Sequence, residues 1–328
     1  MAEDYSIVTN TYTEGYENSL KPSVDENIGL FSPTDTPFLA GMSSKKGRQR
    51  KEEWLEDELD PVGENAHVEA FDAVSEEGRA PERSDNYMQI LEKHFSISGT
   101  ASAVDMYGRK SDLNRQRGLA TKSLARDLEF AFLNGVLAQG SKTTPRKMKG
   151  AFEFVDKTGG AYLNFGGAGA DTNQITEQVL LDCLQGVWDQ GVEPNTVMCP
   201  MIQKRKISQF TQNGRLTITQ NADSKKVTMS VSVIVTDMGT VAVIANRFIQ
   251  PTDDEGALEE LGTAEAYDRI LCYRRDVFTR RVLRPVKEFE LAKTGDSEKY
   301  FLCTEVTLQC STQKGVGSIE LLSRAEAA

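Results

Sequence analysis

Between Asp112 and Ala138 the residues Ala120, Leu124, Leu128 and Phe132 recur every four positions, with Leu113, Ala131 and Val136 close to the same side. Arg115, Arg117, Lys122, Arg126, Asp127 and Glu129 fill the other sides. This spacing predicts one amphipathic helix with a single buried stripe. Asp112 stands at the N-cap position after Ser111, and Gly135 with Gly140 supplies the stop. Such a helix is about 40 Å long, which exceeds most globular helices. A single apolar stripe of that length must lie across a sheet or a neighbouring element. The rest of the chain has to be arranged around it.

Ahead of this helix the sequence reads as extended and poor in core residues. Residues 1–44 are polar and turn-rich, with scattered anchors at Tyr5, Tyr12, Tyr16, Leu30, Phe31, Phe38 and Leu39. Pro33 and Pro37 hold their predecessors extended, so this part crawls over a larger surface. An abrupt charge switch follows. Lys45, Lys46, Arg48, Arg50 and Lys51 give way to Glu52, Glu53, Glu56, Asp57, Glu58 and Asp60, with Trp54 and Leu55 embedded. A charge run of this kind is either a solvated loop or a contact strip whose halves meet opposite charge on a partner. Pro61 to Asn86 lacks periodicity and reads as a long loop. Leu91, Phe95 and Ile97 then mark a strand. Residues 47–56 and 86–98 are therefore expected to be the arms of a long protruding hairpin. A hairpin of this kind is barely stable alone and calls for support from another subunit.

Behind the helix the pattern is mixed. Residues 147–155 read as a short strand and 159–169 as a glycine-rich loop. A helix capped near Asp171 or Thr172 carries Ile175, Val179, Cys183 and Val187 in one row, with Leu180, Leu184 and Trp188 beside it, and Gly191 ends it. A strand at Val197–Cys199 and a helix over 201–212 come next. Val227, Met229, Val231, Val233 and Val235 alternate, and a turn through Asp237–Thr240 leads back along Val241, Val243 and Ala245. An acidic loop from Pro251 to Gly262 precedes strands at 267–283, 286–291, 300–310 and 318–322.

The totals exclude several functions. With 328 residues the chain suits one large domain or two intimately connected ones. Its net charge of -11 argues against tight gripping of nucleic-acid phosphates. The five cysteines are scattered, with no C-x-x-C pair, and read as buried reduced thiols. No signal-peptide layout and no apolar run of about 18 residues is present, so no membrane contact is expected. There are two histidines, His67 and His94, at no metal-ligand or catalytic spacing. Gly135 to Thr143 mimics a phosphate loop, but its glycines end a helix and Ser141 intervenes before Lys142. Gly166 to Ala170 lacks the dinucleotide-binding order and reads as a connector. No catalytic residue, cofactor or metal site is expected.

Taken in order, Ser32–Leu39, the Glu53-Trp54-Leu55 that opens the charged hairpin, the long helix, Asn246-Arg247-Phe248, Leu283-Arg284-Pro285, Leu291–Asp296 and Thr304–Leu308 resemble the major capsid proteins of tailed bacteriophages. The similarity is to the SU-ten-like branch of the HK-ninety-seven-type capsid fold, an α+β fold. It implies an N-terminal arm (1–44), an extended E-loop hairpin (45–97), a peripheral domain with the spine helix (98–170, completed by terminal strands 264–328) and an axial domain (171–263). It also implies pentamers and hexamers that tile an icosahedral shell around double-stranded DNA, bound without sequence specificity. The shell would be made in the bacterial host cytoplasm, with portal, scaffolding and decoration proteins as further partners. The expected inter-subunit contacts are Phe38, Lys45, Lys46, Arg48, Arg50, Lys51, Trp54, Leu55, Glu56, Asp57 and Glu58. An encapsulin-like compartment shell of the same fold is the first rival, and a hydrolase with an unread site the second.

Overall fold

The computed structural model describes residues 34–59, 62–71, 80–104, 112–165, 174–210, 233–253, 257–260, 266–293 and 295–324. Most of the expected N-terminal arm, the glycines at 166–170, the strand expected at 227–231 and parts of the acidic loop lie outside the described residues.

The long helix is present as Asp112–Asn134. It follows α1 (Pro37–Gly41) and α2 (Gly99–Ala103) and is named α3. Its expected stripe is buried throughout, at Ala120, Leu124, Leu128 and Phe132. Each large member contributes about 1.5–3 kcal/mol by leaving water. α3 stops four residues before Ala138 for a packing reason. Gly135 donates back to the Ala131 carbonyl at 3.0 Å, and Gly150 donates to the Gly135 carbonyl at 2.8 Å. A Cβ on Gly135 would stand 2.5 Å from the Met148 carbonyl oxygen, and one on Gly150 would stand 2.5 Å from the Gly135 nitrogen. Two backbones meet here at a separation that only glycine permits.

The stripe lies against β4 (Gln89–Ser98), whose Leu91, Phe95 and Ile97 face inward, while Lys93 on the same face pairs with Asp127 of α3 at 2.6 Å. The expected outer hairpin divides at this point. The strands β2 (Lys51–Glu56) and β3 (Glu82–Tyr87) form a two-stranded antiparallel ribbon, with Lys51 opposite Tyr87 and Glu56 opposite Glu82. β4 leaves that ribbon and pairs with a strand of the body. The second arm of the hairpin is thus Glu82–Tyr87, most of it inside the stretch expected to be loop, and it shares only Asn86 and Tyr87 with the expected arm 86–98.

The body is built from two sheets. In the first, β1 (Ser43–Lys46) runs parallel to β10 (Phe278–Glu290), which pairs antiparallel with β11 (Ser297–Cys310), and β11 pairs with β4. The residues 267–291 thus supply two strands divided differently from expectation. β9 (Asp268–Tyr273) ends before a 3-10 turn at Arg275–Val277, and β10 then runs on through Pro285. Pro285 offers no N–H to the ladder, and the register of β10 on β11 slips on either side of Arg284. The second sheet has the order β5 (Tyr162–Asn164), β12 (Val316–Leu322), β9, β6 (Thr196–Cys199), β8 (Gly239–Ala245), β7 (Val233–Thr236). The β7–β8 hairpin turns where expected, with Gly239 at φ +121°.

α4 (Glu177–Asp189) packs on the second sheet through Leu180, Cys183 and Leu184. Its cap is Thr176, whose hydroxyl accepts from the Val179 N–H at 3.3 Å. The two residues expected for that role fall outside the described residues. α5 covers Met201–Phe210. Residues 151–154 form a 3-10 turn and not a strand, and the turn seals Phe152 and Phe154 into the core. Two apolar clusters result, one under α3 and one under α4. All five cysteines are free and buried, as expected.

A candidate self-assembly surface

The foot of the charged hairpin is fixed by local backbone chemistry. The Gly47 N–H donates to the Val282 carbonyl at 2.8 Å, so the chain leaves β1 pressed against β10. The next turn closes on Glu52, whose buried carboxylate accepts from the Arg48 N–H and, at 3.0 Å, from the Gln49 N–H. A carboxylate taking two backbone donors in one turn ties the basic run to the acidic run that follows it.

Along the ribbon, half the side chains lie on the chain's own body. Trp54 is half-buried, its ring centroid 6.2 Å from that of Phe154, and its indole N–H donates to Glu56 at 3.2 Å. The other Glu56 oxygen accepts from the Gln313 N–H at 3.4 Å, and Glu58 pairs with Lys314 at 2.7 Å. Lys51 sits between Glu53 at 3.1 Å and Asp85 at 3.2 Å. Those two hydrogen bonds raise the Lys51 pKa above its ordinary value, and the Lys51 bond lowers that of Glu53. Both side chains keep 38% of their surface in solvent, so these pairs set register more than stability.

The opposite surface is unpaired. Lys45 and Lys46 on β1, with Arg48 and Arg50 after it, are exposed and form no ion pair among the described residues. From Leu55 onward the chain carries apolar side chains into solvent. Leu55 is 63% exposed, Leu59 95%, Val68 77% and Phe71 52%. These side chains leave apolar surface that a second copy can cover.

The expected contact residues therefore separate. Lys45, Lys46, Arg48, Arg50, Leu55 and Asp57 face outward, whereas Lys51, Trp54, Glu56 and Glu58 have contacts within the chain. Phe38 is a correction. It is 1% exposed and sits edge-on to Tyr273 and Phe278, with ring centroids 5.7 and 5.4 Å away. Its side chain is spent in the chain's own core and offers a neighbour no surface.

Sequence reasoning missed the residue that holds Phe38 there. Glu129 of α3 is fully buried and accepts from the Phe38 N–H at 2.8 Å, the Leu39 N–H at 2.7 Å and the Asn246 side-chain amide at 2.6 Å. Burial raises its pKa, and the hydrogen bonds from Leu39, Phe38 and Asn246 oppose that rise. Position 129 lies three residues before Phe132 and so flanks the apolar stripe. That flank was the available signal, since a charge there must be capped.

Two sheets, a long helix packed on β4 and a two-stranded ribbon outside them make up an α+β fold of the HK-ninety-seven type. Solved structures share this arrangement over most of their length. A capsid of a native GTA particle matches at 14% identity, with 96% of this chain and 99% of that chain covered and a TM-score of 0.61. Microbacterium phage Oxtober96 matches at 12% identity, covering 93% and 97%, with a TM-score of 0.62. The holo-SrpI encapsulin complex from Synechococcus elongatus matches at 12%, covering 95% of each, with a TM-score of 0.60.

The chain belongs to the SU10 major capsid protein family, whose model matches residues 7–323. A curated relative, the major capsid protein of Escherichia phage Phieco32, is 28% identical over 340 residues, which span 89% of this chain and 92% of that protein. This is a structural protein of the icosahedral head of a tailed phage, not an enzyme, and its place is the virion capsid. No helix among the described residues is long and apolar enough to cross a membrane.

Proposed function

We propose that this subunit builds the head as pentamers and hexamers held together by its hairpin. In this reading the chain divides into an N-terminal arm (1–44), an E-loop (45–97), a peripheral domain (98–170 and 264–328) and an axial domain (171–263). The E-loop proper ends near Tyr87, because β4 belongs to the body sheet. Exposed Lys45, Lys46, Arg48 and Arg50 and the outward Leu55 and Asp57 face adjacent copies.

One observation carries the proposal. The segment that leaves β2 holds exposed apolar side chains next to exposed acid, while the same chain presents unpaired basic residues elsewhere. Complementary but different patches on identical chains give head-to-tail contacts, which close into rings and extend into lattices. The enclosed genome is retained without specific recognition, in keeping with the net charge of -11. Portal, scaffolding and decoration proteins are the further partners of this assembly.

The encapsulin likeness supplies the second reading, a protein-filled compartment of the same fold. Electron microscopy of particles from phage-infected cells, with nuclease-protected DNA measured on the same sample, separates the two. DNA-filled shells with five- and six-fold capsomers are expected. DNA-free shells packed with protein would overturn the head assignment, and a stable monomer would overturn assembly.

A further inference from the structure

The loop after α3 and the foot of the hairpin enclose a cleft of about 540 Å³, lined by Arg50, Ile90, Lys142, Pro145 and Arg146. Its wall is basic in a chain of net charge -11. Arg50 and Lys142 have no ion pair among the described residues. Arg146 reaches Glu305 at 2.8 Å, but the same carboxylate also takes Arg284 at 2.7 Å. One buried acid thus answers two guanidinium groups, and the wall stays positive. Ile90, 46% exposed, adds an apolar surface to the cleft.

We propose that this cleft is the socket for the acidic segment that leaves β2 in a second copy, with Asp57 entering beside Arg50 and Lys142 and Leu59 covering Ile90. The inference rests on the assembly reading above and names where that segment lands. Both members of the plug are available, since Asp57 is exposed and Leu59 is 95% exposed. The chain's own segment cannot fill its own socket. The six residues of β2 stand between Arg50 and Asp57, an extended separation of roughly 20 Å. Trp54 on Phe154 and Glu56 on Gln313 hold that strand along the body. A plug and a socket held apart on one chain can be joined only between copies, and the joint is head-to-tail.

The test mixes two single variants of the full chain, Asp57→Cys and Lys142→Cys, assembles them together and oxidises the particles with air and a copper catalyst. The five native cysteines are buried and stay out of the reaction. Disulfide-linked dimers are expected from the mixture and not from particles of either variant alone. Mixed particles with no more cross-link than a control pair of Asp57→Cys with Lys157→Cys would overturn the socket and leave assembly standing. Failure of the unsubstituted chain to form particles would overturn both. A charge swap is the second measurement. Lys142→Glu is expected to reduce the yield of closed particles at least about tenfold, with Asp57→Lys in the same chain restoring it. An undiminished yield, or a loss that the swap does not restore, would overturn the pairing.

Discussion

The carboxylate of Glu129, three-quarters of the way along α3, accepts the backbone N–H of Phe38 at 2.8 Å. Phe38 is the second residue of α1, so the acid caps that short helix from outside it. The Leu39 N–H and the Asn246 amide converge on the same group. Two distant segments, Phe38–Leu39 and Asn246, are thereby tied to one buried carboxyl group of α3, and the start of the described chain is anchored to the body.

Glu129→Gln places an amide donor against backbone donors and is expected to destabilise the subunit by about 1–3 kcal/mol at neutral pH. The pH dependence has a definite sign. The folded-state pKa of Glu129 is raised above its ordinary 4.5, so the folded chain holds more protons within that window than the unfolded one. Wild-type stability therefore rises relative to Glu129→Gln as pH falls from neutral toward 4.5. Denaturant unfolding of both proteins across this range measures it. A flat or falling difference would show that the hydrogen bonds to this carboxylate outweigh its burial, and would contradict the raised pKa.

Trp54 and Leu55 are adjacent on β2 and are predicted to behave oppositely. Trp54→Ala removes a half-buried ring from Phe154 and costs the isolated subunit about 1–3 kcal/mol. Leu55→Asp alters a side chain that is 63% exposed and is expected to leave subunit stability within about 0.5 kcal/mol while depressing particle yield. Thermal unfolding beside sedimentation of assembly mixtures distinguishes them. Equal effects of both changes on stability would mean that Leu55 is also internal.

Gly150→Ala forces a Cβ to within 2.7 Å of the Leu133 carbonyl oxygen and 2.5 Å of the Gly135 nitrogen. Neither atom belongs to a side chain that can swing away. The substitution is expected to cost about 3 kcal/mol through backbone displacement. Gly63→Ala, with nothing near its Cβ position, is the matched control and is expected to be neutral. A tolerated Gly150→Ala would show that the end of α3 is not closed by this contact.

What could be read from the sequence follows from which features have a period. The stripe of α3 repeats at helical spacing and was legible from Ala120 to Phe132, although Val136, expected beside it, lies past the helix end and is 50% exposed, and the Val233–Ala245 hairpin alternates around a glycine turn. β3 has no such mark. Its sequence, Glu82-Arg83-Ser84-Asp85-Asn86-Tyr87, alternates nothing apolar, and only pairing with β2 makes it a strand. β4 did alternate, but a period of two does not say which neighbour accepts its hydrogen bonds. The charge switch at 45–60 marks the proposed contact surface without revealing which of its residues turn inward. Phe38 and Leu55 are both apolar residues in polar surroundings. Only the Glu129 cap and the placement of Tyr273 and Phe278 make one of them core and leave the other outside.

In the proposed assembly the connection between β2 and β3 is what joins one copy to the next, and replacing residues 57–81 with a short Gly-Ser link tests that most directly. The link preserves β2, β3 and their contacts with the body. Analytical ultracentrifugation is predicted to find a folded subunit that sediments as free chains or small oligomers, with no closed shells. Shells of wild-type sedimentation coefficient from that variant would contradict the account.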